Sequence, residues 1–471
     1  MKTKIFFLFS IILGVIILTS LNNNSDIQKK PNIIFIAVDD LRPQLNCYGK
    51  SQIISPNIDY LASNSYTYEN AVCNFPVCGA SRASLLTGLR PNKNRFKSFR
   101  TRMDEDADDV LTIGEWFKSN DYFTLSLGKI SHHTNDSPES WSIPAWRGEK
   151  NWRDYQTNEN IFAAKTNDNN GAAKAFEIGE NLNDDYGDTK MVNKAIEKLD
   201  ELTGKEQPFF MALGFLKPHL PFNAPKKYWD LYNEKDIKLA SNRYQPKNSP
   251  DISMHKYGEL RKYTNIPSDF NLDVPDSTQK KLIHGYYACV SYIDDEIGKL
   301  IKHLKKLEIY DNSIIVLWGD HGWQLGEHNL WAKHCNYQTS LKVPLLIKYP
   351  KQKTQKRIRS VVELLDIYPT LCELSNIDKP NHLQGKSLLT INKLDPENLN
   401  GYTKYHKGET ITTIEKSYTE WRNKDNNYLK ANMMYDLVKD PDENINISKN
   451  KENTPSILKF QYLLDSVRLL D

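Results

Sequence analysis

The chain is poor in the features that define several large classes of protein. It has no internal repeat and no low-complexity tract, so repeat and fibrous architectures are excluded. Its 62 lysines and arginines nearly balance 59 aspartates and glutamates, which leaves a formal net charge of +3. A charge this small argues against a nucleic-acid partner, although a local basic pocket can still hold an anion. We therefore expect a globular protein, and 471 residues are enough to bury a large core.

Cysteine is also scarce, with six in the chain: Cys47, Cys73, Cys78, Cys289, Cys335 and Cys372. Their spacing shows neither a dense disulfide framework nor the paired C-x-x-C of a zinc site. Most of them are expected to be small buried hydrophobic residues. Cys78 needs its own explanation, because it directly precedes Gly-Ala-Ser-Arg in the stretch CNFPVCGASRASLLTGLRP. Pairing of Cys78 with nearby Cys73 is one alternative.

Long apolar runs are missing except at the N-terminus, MKTKIFFLFSIILGVIILTSLNNNSD. Two lysines precede about 15 apolar residues and an Asn-rich stretch follows, which is the order of a secretory signal peptide. The run is short for a membrane span, and no cysteine follows it directly to carry a lipid. We predict a signal peptide over residues 1–22. The protein would then be exported, with the periplasm as the favoured location. Secretion or an uncleaved membrane anchor are the alternatives.

Strand and helix patterns alternate through most of the chain. PNIIFIAVDD predicts a buried strand from Asn32 to Val38, and NSIIVLWGDHG predicts another from Ser313 to Trp318. Further strands are predicted at YFTLSLG, PFFMALGF and KVPLLIKYP, with helices over Lys280–Leu307 and Val361–Ser375. This alternation predicts an α/β fold whose mostly parallel sheet is sandwiched by helices.

The alternation stops near Gly385. Polar stretches at 134–185 and 225–275 are expected to be loops or insertions. Beyond the alternating part, ITTIEKSYTEW predicts a strand and Ser456–Leu470 a closing helix. We therefore predict a catalytic domain over residues 30–385 and a smaller α+β subdomain over residues 386–471.

Acidic residues follow two of the predicted strands. Asp39 and Asp40 end the first, and Asp320 and His321 end the other. Each pair alone could cap the next helix or form a turn. Two acidic strand ends in one sheet favour a divalent cation, because adjacent carboxylates repel each other unless a cation balances them. Oxygen ligands suit Ca²⁺ or Mg²⁺. The imidazole of His321 is an unusual ligand for such ions, because it offers nitrogen in place of oxygen.

Basic residues and histidines follow the strand ends as well. Arg82 lies four residues after Cys78, on the same face of a helix that starts there. The others are Lys129 and His132 after the strand Tyr122–Leu127, His219 after the strand Pro208–Phe215, and Lys333 after the Asp320-His321 pair. Any one alone is more simply a surface lysine or a packed histidine. Together with a metal they predict a pocket for a tetrahedral oxyanion.

These segments resemble a known family. Cys78-Gly79-Ala80-Ser81-Arg82 followed by ASLLTG is similar to the signature of the type I sulfatases. The likeness extends through VDDLRPQLNCYG, GKISHH, FLKPHLPF, GDHGWQLGEHNLWAKH and MMYDLVKDPDENIN, and so through nearly the whole mature chain. KPHLPF and DHGWQLGEHNLWAKH are most similar to iduronate-2-sulfatases. The commonest form of the signature has proline two residues after the cysteine, where this chain has Ala80, as in bacterial variants.

The resemblance implies an alkaline-phosphatase-like fold and a set of roles. Cys78 would be converted to formylglycine by a maturation enzyme, and one Ca²⁺ would be held by Asp39, Asp40, residue 78, Asp320 and His321. The catalytic set would be Cys78, Arg82, Lys129, His132 and His219, with Lys129, His219 and Lys333 binding substrate. In that set Lys129, Arg82 and Lys333 would neutralise the sulfate oxygens. Either His219 or Lys333 would protonate the leaving sugar oxygen, and His132 would remove a proton from residue 78 to release sulfate.

The substrate class follows from the same resemblance and from export. It is a sulfated polysaccharide or its oligosaccharides, with 2-sulfated uronate or xylose of a glycosaminoglycan or of algal ulvan as candidates. Two rival functions stay open: a phosphatase or phosphonate monoester hydrolase of the same superfold, and a catalytically inactive glycan-binding homologue. The sulfate position, exo or endo action and the oligomeric state are not predicted.

Overall fold

The computed structural model describes residues 30–148, 152–166, 171–180, 186–423 and 428–469. The predicted signal peptide lies outside these ranges. Among the described residues, no helix combines the length and the apolar character that crossing a membrane requires.

Within the described ranges, eight strands form the main sheet. Their bounds are β1 Ile33–Val38, β2 Tyr66–Val72, β3 Phe123–Gly128, β5 Phe209–Phe215, β7 Ile314–Gly319, β10 Lys342–Val343, β11 Leu345–Lys348 and β12 Lys356–Glu363. Their order in the sheet is β10-β2-β11-β7-β1-β5-β3, and β12 pairs with β2 outside this path. Two pairs of strands lie elsewhere: β4 Phe176–Gly179 with β6 Phe222–Pro225, and β8 Gln324–Leu325 with β9 Trp331–Ala332.

The middle of the sheet is parallel. Val38 at the end of β1 lies opposite Phe215 of β5 on one side and Gly319 of β7 on the other. β3 runs parallel to β5, with Gly128 opposite Gly214. The carboxyl ends of β1, β3, β5 and β7 therefore meet at one edge of the sheet. Antiparallel pairings of β11 and β10 make the sheet mixed overall.

Helices cover both faces, as predicted. Ile34, Ile36 and Val38 of β1 belong to one core cluster, and Ile33, Phe35 and Ala37 to the other, because successive side chains of a strand point to opposite faces. The described helices are α1 Pro56–Ser63, α2 Cys78–Thr87, α3 Met103–Asp106, α4 Ile113–Ser119, α5 Asn158–Thr166, α6 Gly187–Leu202, α7 Lys226–Trp229, α8 Asp276–Lys306, α9 Gln338–Leu341, α10 Ile367–Leu374, α11 Leu388–Ile391 and α12 Thr454–Arg468.

Two predicted elements of the main domain are wrong in detail. KVPLLIKYP forms two strands, β10 and β11, separated by Pro344, which has no N–H to donate to a ladder. The helix predicted over Val361–Ser375 begins only at Ile367, because Val361 and Val362 belong to β12 and pair with Asn70 and Ala71 of β2. β-branched side chains at those positions fit a strand better than a helix.

A second sheet follows in the C-terminal part. It contains the strands β13 Gly401–Tyr405, β14 Gly408–Thr412, β15 Lys416–Arg422 and β16 Leu429–Asp436, in sequential antiparallel order. ITTIEKSYTEW is a hairpin and not one strand, since Thr413 and Lys416 hydrogen-bond across a turn. Helix α12 packs on this sheet through Phe460, whose ring stacks on Tyr418. Residues Asn32–Asp471 form one compact unit, and the domain boundary at residue 385 stays a prediction.

Candidate active site

The candidate site lies at the edge where the parallel strands end. Asp39 and Asp40 directly follow β1, Asp320 and His321 directly follow β7, and all four side chains are fully buried. The backbone N–H of Asp40 donates to Oδ1 of Asp320 at 3.0 Å, so the two strand ends are tied together. Every site residue predicted from the sequence lies at this edge or lines the cleft above it.

Cys78 begins helix α2 in the middle of this group. Its Sγ lies 3.2 Å from Nε2 of His321, 3.5 Å from Nζ of Lys333 and 3.9 Å from Oδ1 of Asp40. All six cysteines are free and buried, and the thiol of Cys73 points to the carbonyl of Ser340, so the alternative Cys73–Cys78 pairing is not formed. Burial, and then the charge of Asp39, raise the pKa of the Cys78 thiol.

Arg82 ties the acidic strand ends to each other. Its Nε donates to Oδ2 of Asp320 at 2.9 Å and its Nη2 to Oδ1 of Asp39 at 3.1 Å, while Nη1 donates to the carbonyls of Lys129 and Ile130. Burial opposes the charge of Arg82, but Asp320 and Asp39 outweigh it and raise the pKa of the guanidinium. Arg82 therefore orients the carboxylates, and direct contact with a sulfate stays a prediction.

Two buried lysines supply the positive charge on the cleft side. Nζ of Lys129 donates to Asp39, and Nζ of Lys333 lies 3.0 Å from Oδ1 of Asp40. Burial favours the neutral amines, yet Asp39 raises the pKa of Lys129 and Asp40 raises the pKa of Lys333. Both side chains are held as ammonium groups beside Cys78, as an oxyanion pocket requires.

The two predicted histidines differ in their surroundings. Nδ1 of His219 is 2.7 Å from the carbonyl of Leu220, which leaves Nε2 facing Oδ2 of Asp40 at 3.9 Å. Nζ of Lys217 donates to the carbonyls of His219 and Pro221 and so fixes this loop.

His132 lines the same cleft as Cys78 and Lys129. Burial, and then the charge of Lys129, lower the pKa of His132 to about 2, so this imidazole is neutral. Its buried Nδ1 has no hydrogen-bond partner among the described residues. At a pKa this low the ring is a weak base, and a bound sulfate that offsets the charge of Lys129 would raise the pKa of His132 and allow the ring to accept a proton.

One site residue was not found from the sequence. Glu259 lies in the polar stretch predicted as a loop, and its Oε1 is 3.2 Å from Nζ of Lys333 and 3.4 Å from Nε2 of His219. Although burial acts in the opposite direction, Lys333 and His219 hold the pKa of Glu259 well below its usual range. No strand end or motif precedes it, so no sequence pattern pointed to it. The cleft has a volume of about 860 Å³, and Trp152 stands at its wall, edge-on to His219.

The residues at the strand ends fit a cation. Oδ2 of Asp40 is buried without a hydrogen-bond partner among the described residues. Nδ1 of His321 is 3.0 Å from the carbonyl of Gly322, and Nε2 is directed toward Cys78 and Asp40, where a neutral ring could offer it to a cation. Ligand atoms of Asp39, Cys78, Asp320 and His321 lie within 4.8 Å of one another, as do those of Asp39, Asp40, Cys78 and His219. A set rich in carboxylates suits a hard divalent ion.

Comparison with known proteins decides the family. Residues 31–377 match the sulfatase family, and residues 326–468 match the C-terminal region of N-sulphoglucosamine sulphohydrolase. This chain belongs to the sulfatase family. It is therefore a sulfuric ester hydrolase with an alkaline-phosphatase-like fold, as the resemblance implied.

Individual relatives agree with this assignment. Human iduronate 2-sulfatase is 33% identical over 388 residues, covering 74% of this chain and 70% of that protein. A sulfatase of Formosa agariphila is 30% identical and covers 100% of this chain and 92% of its own length. A structure solved in complex with its substrate D-glucosamine-2-N,6-O-disulfate matches this sulfatase with a TM-score of 0.72 at 22% identity, over 93% of this chain and 98% of that one.

Proposed function

We propose that this sulfatase is exported to the periplasm and hydrolyses sulfate esters of a sulfated polysaccharide or its oligosaccharides, with 2-sulfated uronate or xylose as the target sugar. The observation that carries the proposal is the cleft in which Cys78, two ammonium groups and the paired aspartates converge. The similarity to human iduronate 2-sulfatase supports the choice of sugar.

We further propose that Cys78 is the precursor of formylglycine, made by a maturation enzyme that oxidises the side chain to an aldehyde. As formylglycine, residue 78 would supply a hydrated aldehyde with one hydroxyl to attack sulfur and a second to allow release of sulfate. One Ca²⁺, held by Asp39, Asp40, residue 78, Asp320 and His321, would supply electrostatic stabilisation of the attacking oxygen.

The chain's own side chains then divide the remaining work. Lys129 and Lys333 neutralise the sulfate oxygens as negative charge shifts during transfer. His219 faces the cleft and Glu259 with Nε2 while Nδ1–H is held by the carbonyl of Leu220, so it gives a proton to the departing sugar oxygen from its doubly protonated, imidazolium form and is left neutral. His132 accepts the proton that must leave residue 78 before sulfate is released.

The experiment that tests the function is a substrate panel. Protein with residue 78 verified by mass spectrometry is assayed on oligosaccharides that carry sulfate at single defined positions, and on 4-nitrophenyl sulfate, 4-nitrophenyl phosphate and a phenyl phosphonate ester. Release of sulfate from 2-sulfated uronate or xylose supports the proposal. Faster cleavage of the phosphorus esters would favour the phosphonate hydrolase alternative, and binding without any cleavage would favour an inactive glycan-binding protein.

Maturation has its own expected result. The peptide containing residue 78 should be lighter than the cysteine form in active protein, and Cys78→Ala should abolish sulfate release while the protein stays folded. Fully active protein that carries only unmodified Cys78 would contradict the proposed mechanism.

A further inference from the structure

A second cavity opens beside the catalytic cleft, against the C-terminal sheet. Its volume is about 980 Å³. Three side chains, His255, His334 and Tyr405, line both this cavity and the catalytic cleft. The two are therefore adjoining sections of one concave surface. We call the second section the basic groove.

The shared wall is a row of rings. The ring of His334 lies 6.0 Å from that of His255 and 6.2 Å from that of Tyr405, and His406 follows at 4.3 Å from Tyr405. Phe75 packs edge-on against Tyr405 at 5.7 Å. Such a row leads from the reaction centre into the groove and offers ring surfaces against which the apolar faces of sugars can pack.

The groove is strongly cationic. Its basic lining residues are Lys93, Lys97, Lys404, Lys407, Arg422 and Arg468. Among its described lining residues the one acid is Glu409, which already contacts Nζ of Lys404 at 2.7 Å and the guanidinium of Arg468. Lys93, Lys97 and Lys407 are exposed, and none of them has an ion-pair partner within the described part of the chain. Their charge is therefore available to a ligand.

We propose that the basic groove binds the anionic sugars that adjoin the sugar being desulfated. The inference rests on the proposed function and narrows it: the substrate is a chain of several sugars that carries further sulfate or carboxylate groups beyond the one hydrolysed. Ring surfaces and three unbalanced ammonium groups match a polyanionic glycan. They do not match a neutral one or a single monosaccharide confined to the catalytic cleft.

The test compares two triple variants that lose the same charge. One removes the groove lysines, Lys93→Ala, Lys97→Ala and Lys407→Ala. The control removes Lys238, Lys302 and Lys459, which are also exposed and line neither cavity. Both are made with Cys78→Ala, so that no turnover occurs, and circular dichroism verifies folding. Affinities are measured by calorimetry for heparin-derived and ulvan-derived disaccharides and hexasaccharides.

We expect the parent protein to bind a hexasaccharide more tightly than its disaccharide, and the groove variant to lose about 5- to 30-fold of hexasaccharide affinity. The control variant should lose less than about twofold. Equal affinity for both lengths in both glycans, or equal losses in the two variants, would overturn the proposal. Hydrolysis of 4-nitrophenyl sulfate by the protein with Cys78 intact tests the proposed function separately, because this small ester carries no further sulfate or carboxylate group for the groove lysines to bind.

Discussion

At the scale of single residues, replacing each of the two histidines of the cleft should impair a different step of catalysis. His132→Ala removes the proton acceptor for sulfate release, so each site should release about one sugar and then turn over slowly. His219→Ala removes the proton donor to the sugar oxygen, so it should show no burst. Its loss, on the order of 10²- to 10⁴-fold for sugar esters, should shrink for 4-nitrophenyl sulfate, whose phenolate departs without a proton.

Rapid-quench kinetics on both substrates measures this contrast. His133→Ala is the matched control, because its ring lies 5.0 Å from that of His132 but has no assigned role. Equal losses on both substrates with no burst from either variant would show that the two histidines only bind sulfate.

The paired aspartates give a prediction about the metal. Asp40→Asn removes a charge from the buried site, so calcium affinity should fall together with sulfate release. Added Ca²⁺ should raise the thermal unfolding midpoint of the parent protein, because binding to the native state alone stabilises it, and chelation should reverse the shift. The variant should lack this shift. Active protein that contains zinc or no metal by elemental analysis would contradict the assignment.

Most residues of the site could be predicted from the sequence, and Glu259 could not. Four site residues could be placed together from the sequence, because each follows an apolar run that predicted a strand of a parallel sheet. These residues are Asp39, Asp320, Lys129 and His219. Glu259 could not be placed, because its position depends on how a long polar segment folds back over the strand ends and not on any local period.

At the scale of elements, β3 packs closely against β5, and this packing holds the backbone of Lys129 in place. A Cβ added to Gly214 would lie 2.1 Å from the carbonyl carbon of Lys129, so Gly214→Ala must push the end of β3 away. We expect a loss of about 1–3 kcal/mol in the free energy of unfolding and at least about tenfold in kcat/KM, since Lys129 moves with its backbone.

Gly258→Ala serves as the stability control. A Cβ at Gly258 meets no atom within 4 Å, so its unfolding midpoint in urea should stay close to that of the parent protein. A Gly214→Ala protein with parental stability and kcat/KM would show that β3 and Lys129 can adjust without cost.

The helix predicted from Val361 fails because its first residues have a distant partner. They belong to Lys356–Glu363, which pairs with β2 at residues 66–72, far away in the chain. A partner this distant selects strand geometry that local periodicity cannot reveal. The central strands β1, β5 and β7, fully buried and continuous in their apolar runs, were predictable within a residue or two.

At the scale of the whole molecule, an ion-pair cluster fastens the last helix to the second sheet. Arg468 of α12 contacts Glu409 of β14 and Glu420 of β15. Burial tends to raise the pKa of Glu409, but Lys404 and Arg468 outweigh it and lower that pKa below its usual value. A lowered carboxyl pKa stabilises the folded protein above the pKa of the unfolded chain, about 4.3, and this contribution is lost as the pH falls through the folded value.

Arg468→Met should therefore destabilise the protein by about 3 kcal/mol near pH 7, and by less below about pH 4. Chemical unfolding at several pH values measures the difference. Lys459→Met, at an exposed position on the same helix, is the control and should stay within about 0.5 kcal/mol of the parent protein. A penalty for Arg468→Met that does not change with pH would show that lost packing, and not charge, is responsible.

The hydrogen bond between Asp40 and Asp320 joins residues that are 280 positions apart. The ribosome therefore completes β1 long before it completes β7. At about 5–20 residues per second, roughly 14 to 56 s pass between the appearance of β1 and that of its neighbour β7. Throughout this interval the apolar strand at the centre of the future sheet has no partner on that side and is open to chaperones. Cys78 is only 2% exposed once the protein has folded. The export and the conversion of Cys78 that we propose would therefore both be easiest before β7 completes the sheet.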